Sequence, residues 1–308
     1  MKQAGFFILL LVLSGFSGCD LISVQQEMLN GPTLAVEGPD GAIYVGDGYG
    51  NSRIVVFNRA GEVVRQFGTR GYADGQLQNP HSLAFGPDAC LYVADRDNGR
   101  IQKFDKNGQW VESWSSKELG RPWGVAVAGD GTVYAVDGGD QNDEKPRSGI
   151  VKLSPSGVLL VRFSRFGSSA GELDWGHSIC VSPGGDSVYV ADYHNDRIQL
   201  FVSGSQGTSF TVAAGWSSTT TGERYQPLGV ALQGTTLYVT QDGAGKPVLK
   251  FNAATGQKTG ELGAGLFQRA HGVSVTRSRT LLITDVDANK VFEISLNGTI
   301  LKVYGGGA

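Results

Sequence analysis

Three of the four histidines in this chain occupy the same position of an internal repeat. They are His81, His177 and His271, in the segments NPHSLAF, DWGHSIC and RAHGVSV. The intervening repeats carry other residues at this position, namely Thr33, Trp123 and Leu228. If the repeats close into a ring, the three imidazoles lie about a third of a turn apart and converge on the axis. Three imidazoles suit Zn²⁺ and leave a fourth position for water or substrate. The sequence therefore predicts a zinc site.

The repeat itself indicates the fold. Each of six units opens with an apolar run such as PHSLAF, followed by a second run that ends in an acid, such as YVAD. A motif of the type NGRIQKF, a glycine turn and a fourth alternating run complete the unit. Four short strands and a period of roughly 45–50 residues are typical of a propeller blade. We therefore expect an all-β chain that forms a six-bladed β-propeller with four-stranded blades.

The N-terminal segment reads as a targeting sequence. Lys2 precedes an apolar stretch from Phe6 to Leu13 that is too short to span a bilayer. The segment FSGC resembles the lipobox of bacterial lipoproteins, which implies lipidation at Cys19; plain cleavage and secretion is the alternative. We expect a signal peptide over 1–18, a lipidated cysteine with a short linker over 19–30, and the propeller over 31–308. The protein is then placed in the cell envelope, outside the cytoplasm, and attached to the membrane through its lipid.

Composition limits the class of partner. The net charge is −3 and there is no block of basic residues, which argues against nucleic-acid binding. Cys90 and Cys180 fall in repeats that are not neighbours, so we expect no disulfide between them. The sequence leaves the oligomeric state open.

The turn after the second run of each repeat supplies further candidates. Tyr49 lies in DGYGNSR and Arg96 in DRDNGR. A tyrosine beside a bound cation can act as a general base, and an arginine can bind a carboxylate with two parallel hydrogen bonds. The alternatives are that Tyr49 packs on a neighbouring turn and that Arg96 pairs with Asp95 or Asp97.

The acids at the end of the second run have a structural interpretation because they recur in five of the six repeats. We expect them to accept hydrogen bonds from the backbone amides of the following turn and to pair with Arg53, Arg100 or Arg197. The fifth repeat has Gln241 at this position. The five acids are Asp47, Asp95, Asp137, Asp192 and Asp285. His194 lies in a different place, the turn after one of these acids, and is predicted to be a surface residue or a residue that supports the site without binding the metal.

The repeats resemble NHL repeats, with the pattern YVAD followed by N-x-R-I. Over nearly the whole chain after the targeting segment, and most closely over 31–104, the sequence resembles peptidyl-α-hydroxyglycine α-amidating lyase. That resemblance implies a zinc ion on His81, His177 and His271, a catalytic tyrosine at Tyr49 and an active-site arginine at Arg96.

Two positions depart from the family. A second family arginine aligns with Gln241, which is therefore a candidate on the substrate side. An acid that the family links to a structural calcium aligns with Ser178, so calcium is doubtful.

The function expected from these residues is a zinc-dependent lyase. It would cleave the C–N bond of a small-molecule or peptide substrate with an α-hydroxyglycine-type end, releasing an amide and glyoxylate. The alternative is a non-catalytic NHL propeller that acts as a binding scaffold in the cell envelope. Calcium-dependent lactonase propellers fit less well, because their sites need converging carboxylates and amides.

Overall fold

The structure is a computed structural model that describes residues 29–140, 147–205, 207, 209–217 and 224–305. The predicted signal peptide and the predicted lipidation site at Cys19 lie outside the described residues. Within the described ranges, no helix has the length and apolar character needed to cross a bilayer.

Twenty-four strands form six antiparallel sheets of four strands each, which are the blades. Blade 1 contains β1 (Ala35–Glu37), β2 (Ile43–Asp47), β3 (Arg53–Phe57) and β4 (Val63–Phe67). Blade 2 contains β5 (Pro80–Phe85), β6 (Leu91–Asp95), β7 (Arg100–Phe104) and β8 (Trp110–Trp114). Blade 3 contains β9 (Pro122–Val127), β10 (Val133–Asp137), β11 (Gly149–Leu153) and β12 (Leu159–Phe163). Blade 4 contains β13 (Gly176–Val181), β14 (Ser187–Asp192), β15 (Arg197–Ser203) and β16 (Phe210–Ser217). Blade 5 contains β17 (Pro227–Gln233), β18 (Thr236–Gln241), β19 (Val248–Asn252) and β20 (Lys258–Leu262). Blade 6 contains β21 (Ala270–Val275), β22 (Leu281–Asp285), β23 (Lys290–Ile294) and β24 (Ile300–Tyr304).

This architecture confirms the predicted six-bladed propeller. Each blade uses four consecutive strands, and the first strand of each blade packs beside the first strand of the next. The ring closes between blades 6 and 1 through side chains rather than through a shared strand. The hydroxyls of Thr284 and Ser274 donate to the carbonyls of Thr33 and Ala35, at 2.9 and 2.6 Å.

The core lies between the blades. Each of six buried clusters draws its side chains from two neighbouring blades, as where Tyr44 and Ile54 of blade 1 pack with Leu83, Leu91 and Val93 of blade 2. Fully burying such a side chain stabilises the fold by about 1.5–3 kcal/mol. The apolar runs of the repeat therefore hold the ring together. Cys90 and Cys180 are free thiols, as expected.

The recurrent acids tie each blade to the chain segment that leads into it. In blade 2, the Asp95 carboxylate accepts hydrogen bonds from the Gln78 backbone N–H at 2.6 Å and from Arg100 Nε at 2.8 Å. The corresponding acids Asp47 and Asp192 bind Arg53 and Arg197. This agrees with the structural interpretation, although the backbone donors lie mainly before the first strand of the blade rather than in the following turn.

Candidate metal centre

A β-bulge turns the three histidines toward the propeller axis. In blade 2 the ladder pairs Pro80 with Asp95 and then Ser82 with Ala94, so His81 is the extra residue. The same irregularity falls at His177 in blade 4 and at His271 in blade 6. A bulge increases the local twist and re-aims the side chain that it carries. The regular alternation of side chains along these first strands is therefore interrupted at the histidine position.

Each histidine is anchored to the next blade through its other ring nitrogen. The Nδ1 atoms of His81, His177 and His271 lie 2.7, 2.8 and 2.7 Å from backbone carbonyl oxygens. Those carbonyls belong to Trp123, Leu228 and Thr33, which hold the histidine position in the intervening blades. A carbonyl only accepts, so each Nδ1 carries the proton and each Nε2 keeps its lone pair. Such a partner fixes the tautomer and orientation of a metal-ligating histidine.

The three side chains form a compact and buried donor set. Their ligand atoms all lie within 4.8 Å of one another, and the residues are 3–4% exposed. The Oη atom of Tyr49 lies 3.0 Å from the Nε2 atoms of both His81 and His271. A single hydroxyl proton serves only one of these two lone pairs. The geometry thus leaves more acceptors than donors, which is the arrangement that a cation satisfies.

Burial keeps the imidazoles neutral, as metal ligands must be. It lowers the pKa of His81 and His177 well below the usual value, and the neighbouring imidazoles and Arg96 act in the same direction. Burial also lowers the pKa of His271 to about 4. The predicted ligands are therefore brought together in the form that binds a divalent metal.

The structure places Tyr49 and Arg96 beside the histidines. The Tyr49 residue as a whole is 40% exposed, whereas its hydroxyl lies between two imidazoles. Burial of the hydroxyl raises the pKa of Tyr49, while Arg96 and Arg269 oppose that rise. The Arg96 guanidinium carbon lies 5.6 Å from the centroid of the Tyr49 ring and 4.2 Å from that of Trp123. Arg96 also pairs with Asp97, one of the two partners considered from the sequence.

A pocket of about 410 Å³ opens above the three histidines. We call it the upper pocket. Its lining is mainly aromatic and charged, and it includes several residues that the sequence did not single out. The lining residues are Tyr49, Arg96, Arg121, Trp123, Asp140, Trp175, His177, Tyr193, Leu228, Arg269, His271 and Val286.

The missed lining residues stand at recognisable places in the repeat. Tyr193 directly follows the acid of its blade, as Arg96 does in blade 2. Trp175 and Arg269 each lie two residues before a histidine. Trp175 has a φ of 61°, a left-handed conformation that is strained for a bulky residue and is often found at functional sites. These offsets from the histidines and the acids could have identified them.

Two candidates are not among the residues that line the upper pocket. Gln241 is buried and donates from its Nε2 to the carbonyl of Pro247 at 2.7 Å, so it is not among the residues that line the pocket. His194 pairs through Nδ1 with Asp174 at 3.0 Å and is 46% exposed at the side chain. The structure thus keeps His194 apart from the three central histidines, as predicted.

Comparisons with known proteins agree with the repeat and the fold. Residues 77–104 match the NHL repeat family. The chain is 30% identical over 281 residues to peptidyl-glycine alpha-amidating monooxygenase B of Xenopus laevis, an alignment that covers 89% of this chain and 30% of that protein. It is 29% identical over 201 residues to peptidyl-alpha-hydroxyglycine alpha-amidating lyase 1 of Drosophila melanogaster, covering 59% of this chain and 37% of that protein. The chain therefore spans well under half of these relatives.

A solved structure supports the fold alone. A catalytically inactive variant of virginiamycin B lyase from Staphylococcus aureus superposes with a TM-score of 0.61 and 14% sequence identity. The superposition covers 90% of this chain and 85% of that one. From the strands, the repeat match and the sequence relatives, this chain is a six-bladed β-propeller with an NHL repeat, related to peptidyl-glycine amidating enzymes.

Proposed function

We propose that this protein is a zinc-dependent lyase that cleaves the C–N bond of an α-hydroxyglycine-type substrate. The observation that carries the proposal is the convergence of three neutral imidazoles with the Tyr49 hydroxyl at the floor of the upper pocket. The similarity to amidating enzymes supports the choice of reaction. A binding scaffold does not require a general base beside a metal site.

The metal would be held by the Nε2 atoms of His81, His177 and His271. Once bound, Zn²⁺ polarises an oxygen ligand and lowers the pKa of a hydroxyl beside it. The three backbone carbonyls that accept from Nδ1 keep the imidazoles in place before the metal binds. Little reorganisation is then needed at the site.

Tyr49 is the base in this proposal. Its hydroxyl already lies at the histidines, 3.0 Å from two ring nitrogens, so a substrate hydroxyl bound there is within proton-transfer reach. The positive charges of Arg96 and Arg269 lower the pKa of the phenol against the effect of burial. Both arginines therefore favour the phenolate, the form that accepts a proton.

The reaction needs no oxidant or reductant, and every atom of the two products comes from the substrate. Tyr49 removes the proton from the hydroxyl oxygen, and a C=O bond forms as the C–N bond breaks with its electron pair going to nitrogen. The nitrogen gains one proton, which balances the one that Tyr49 removed from the hydroxyl, and the products are an amide and glyoxylate. Arg96 is fixed beside Tyr49 by its stack on Trp123 and its pair with Asp97, so it stabilises the charge that develops.

The proposal is tested by measuring glyoxylate and amide release from an N-acyl-α-hydroxyglycine at neutral pH, above its spontaneous breakdown. The purified zinc-loaded chain is expected to release both products in equal amounts, and His177→Ala to reduce the rate to background. Bound zinc without any product release would contradict the lyase, and the absence of both would favour the scaffold.

A further inference from the structure

The upper pocket presents more positive than negative side chains to its contents. Three arginines and one aspartate line it, namely Arg96, Arg121, Arg269 and Asp140. Such a lining favours an anionic ligand. The proposed substrate carries one carboxylate, so the arginine that receives it can be sought from the contacts that each guanidinium already makes.

Two of the arginines pair with the same neighbouring aspartate and are less exposed than the third. Arg96 stacks on Trp123, pairs with Asp97 through Nε at 2.9 Å, and has a side chain that is only 11% exposed. Arg121 bridges Asp97 at 2.5 Å and Asp140 at 3.4 Å. Asp97 thus fixes both guanidiniums to one edge of the pocket. Arg96 pairs with one carboxylate through Nε, as Arg269 does, but it is stacked on Trp123 and largely buried, so less of its guanidinium is open to the pocket.

Arg269 has the most exposed side chain of the three arginines. Its Nε donates to Asp242 Oδ1 at 2.8 Å, and its side chain is 41% exposed. The structure shows no hydrogen bond from its terminal nitrogens to the described residues. The second oxygen of Asp242 accepts from the Tyr193 hydroxyl at 2.5 Å, so the aspartate itself is fixed. This arrangement orients the guanidinium while leaving its outer edge for a ligand, as bidentate recognition of a carboxylate requires.

The position of Arg269 suits a ligand bound at the metal centre. It lies two residues before His271 at the entry to blade 6 and lines the same pocket as Arg96 of blade 2, with Tyr49 of blade 1 between them in the ring order of the blades. Its charge lowers the pKa of His177, His271 and Tyr49, as expected for a group close to all three. Gln241, by contrast, lies outside the pocket, and the residue after it is the Asp242 that holds Arg269.

We propose that Arg269, held in place by Asp242, binds the substrate carboxylate and makes the upper pocket selective for N-acyl amino acids that end in a free acid. This inference rests on the proposed function. The carboxylate contact then belongs to Arg269, which precedes the first strand of its blade, and not to Gln241, which ends a second strand.

The test is equilibrium binding, which requires no turnover and so is independent of whether the lyase reaction occurs. The zinc-loaded full chain is titrated with N-acetylglycine and with its uncharged counterpart N-acetylglycinamide. We expect the acid to bind at least about tenfold more tightly, as hydrogen bonds between charged groups predict. In Arg269→Gln the affinity for the acid should fall about 10- to 100-fold while that for the amide stays the same.

Two further variants make the result specific. Arg165→Gln is the matched control, because Arg165 pairs with Glu172 and its side chain is 81% exposed. It should bind both ligands as the unchanged chain does. Arg269→Lys keeps the charge but loses the planar fork, so it should lose part of the preference for the acid, and it decides the question if Arg269→Gln does not fold. An undiminished preference for the acid in both Arg269 variants, or no such preference in the unchanged chain, would overturn the proposal.

Discussion

The two ends of the central channel differ in chemistry although the same six blades surround both. Above the histidines, the upper pocket is lined by arginines, aromatic rings and an aspartate. Below them, a cavity of about 240 Å³ is lined by apolar residues and serines, none of which carries a charge. We call it the lower channel. Its lining includes Ser82, Ile179, Val230 and Ser274.

The difference follows from where the strands are regular. The lower channel is formed by the pleated parts of the first strands, where each blade contributes the same kind of small or apolar side chain. The upper pocket is formed at the bulges and at the turns after the acids, where the ladder imposes no pattern. Residues at the upper end can therefore change without loss of the fold, and chemistry is concentrated there.

The largest effect is expected at the upper end, from Tyr49→Phe. This variant removes one hydroxyl and keeps the ring that packs against the histidines. Loss of a general base lowers turnover about 10²- to 10⁴-fold. Zinc content and the melting temperature should not change. Steady-state kinetics alongside metal analysis checks this, and a variant with full activity would exclude Tyr49 as the base.

Asp95→Ala should lower the free energy of unfolding and leave the turnover of the folded protein unchanged. It leaves the Arg100 guanidinium buried without its acid and the Gln78 backbone N–H without its acceptor. Breaking a buried pair costs about 3–5 kcal/mol, which urea unfolding would detect. The control is Asp74→Ala, since Asp74 lies 3.6 Å from the same arginine but is 57% exposed, and should cost about 1 kcal/mol or less. Equal losses would contradict the structural interpretation of the acids.

The metal-free protein should lose stability as the pH falls below the usual histidine pKa. Burial lowers the pKa of His271 from 6.5 to about 4, so between these values the unfolded chain binds protons that the folded chain does not. Stability therefore falls with pH through this window, by a few kcal/mol at about 1.4 kcal/mol per pKa unit. Urea unfolding with a chelator at several pH values measures the slope. His271→Gln should flatten it, and an unchanged slope in that variant would contradict the assignment.

The smallest effect is expected in the lower channel, from Ser178→Ala. Ser178 follows His177 directly, but among the described residues its hydroxyl has one weak hydrogen bond, which it accepts from the Val230 backbone N–H at 3.4 Å. The change should cost about 1 kcal/mol or less and leave both zinc content and turnover as they are. A loss of zinc in this variant would mean that the metal centre extends into the lower channel, and the contrast between the two ends would fail.

The sequence was sufficient for the fold and for the central histidines because both depend on periodicity. His81, His177 and His271 share one repeat position, and ring closure brings that position to the axis. Tyr49 and Arg96 were placed near them because the turn after the second strand recurs beside that position. The bulge that aims the histidines has no signal of its own in the sequence.

The repeat marks the remaining positions of the pocket but does not determine which residues occupy them. Arg121, Trp175 and Arg269 lie in the segments that lead into the first strands, which vary between blades and follow no alternation. Gln241 was considered for the substrate side because of its alignment with a family arginine. Its position belongs to the structural acids, whose side chains turn toward the backbone of their own blade, and there its amide donates to Pro247.

The metal content of the purified chain tests the central claim most directly. Unmodified protein should bind about one Zn²⁺ per chain, as three histidines with one open position do. His81→Ala, His177→Ala and His271→Ala should each lose the ion while Ser178→Ala retains it. If the unmodified protein binds no zinc, and the three histidine variants unfold like the unchanged chain, the histidines only line the channel and the proposed lyase site does not exist.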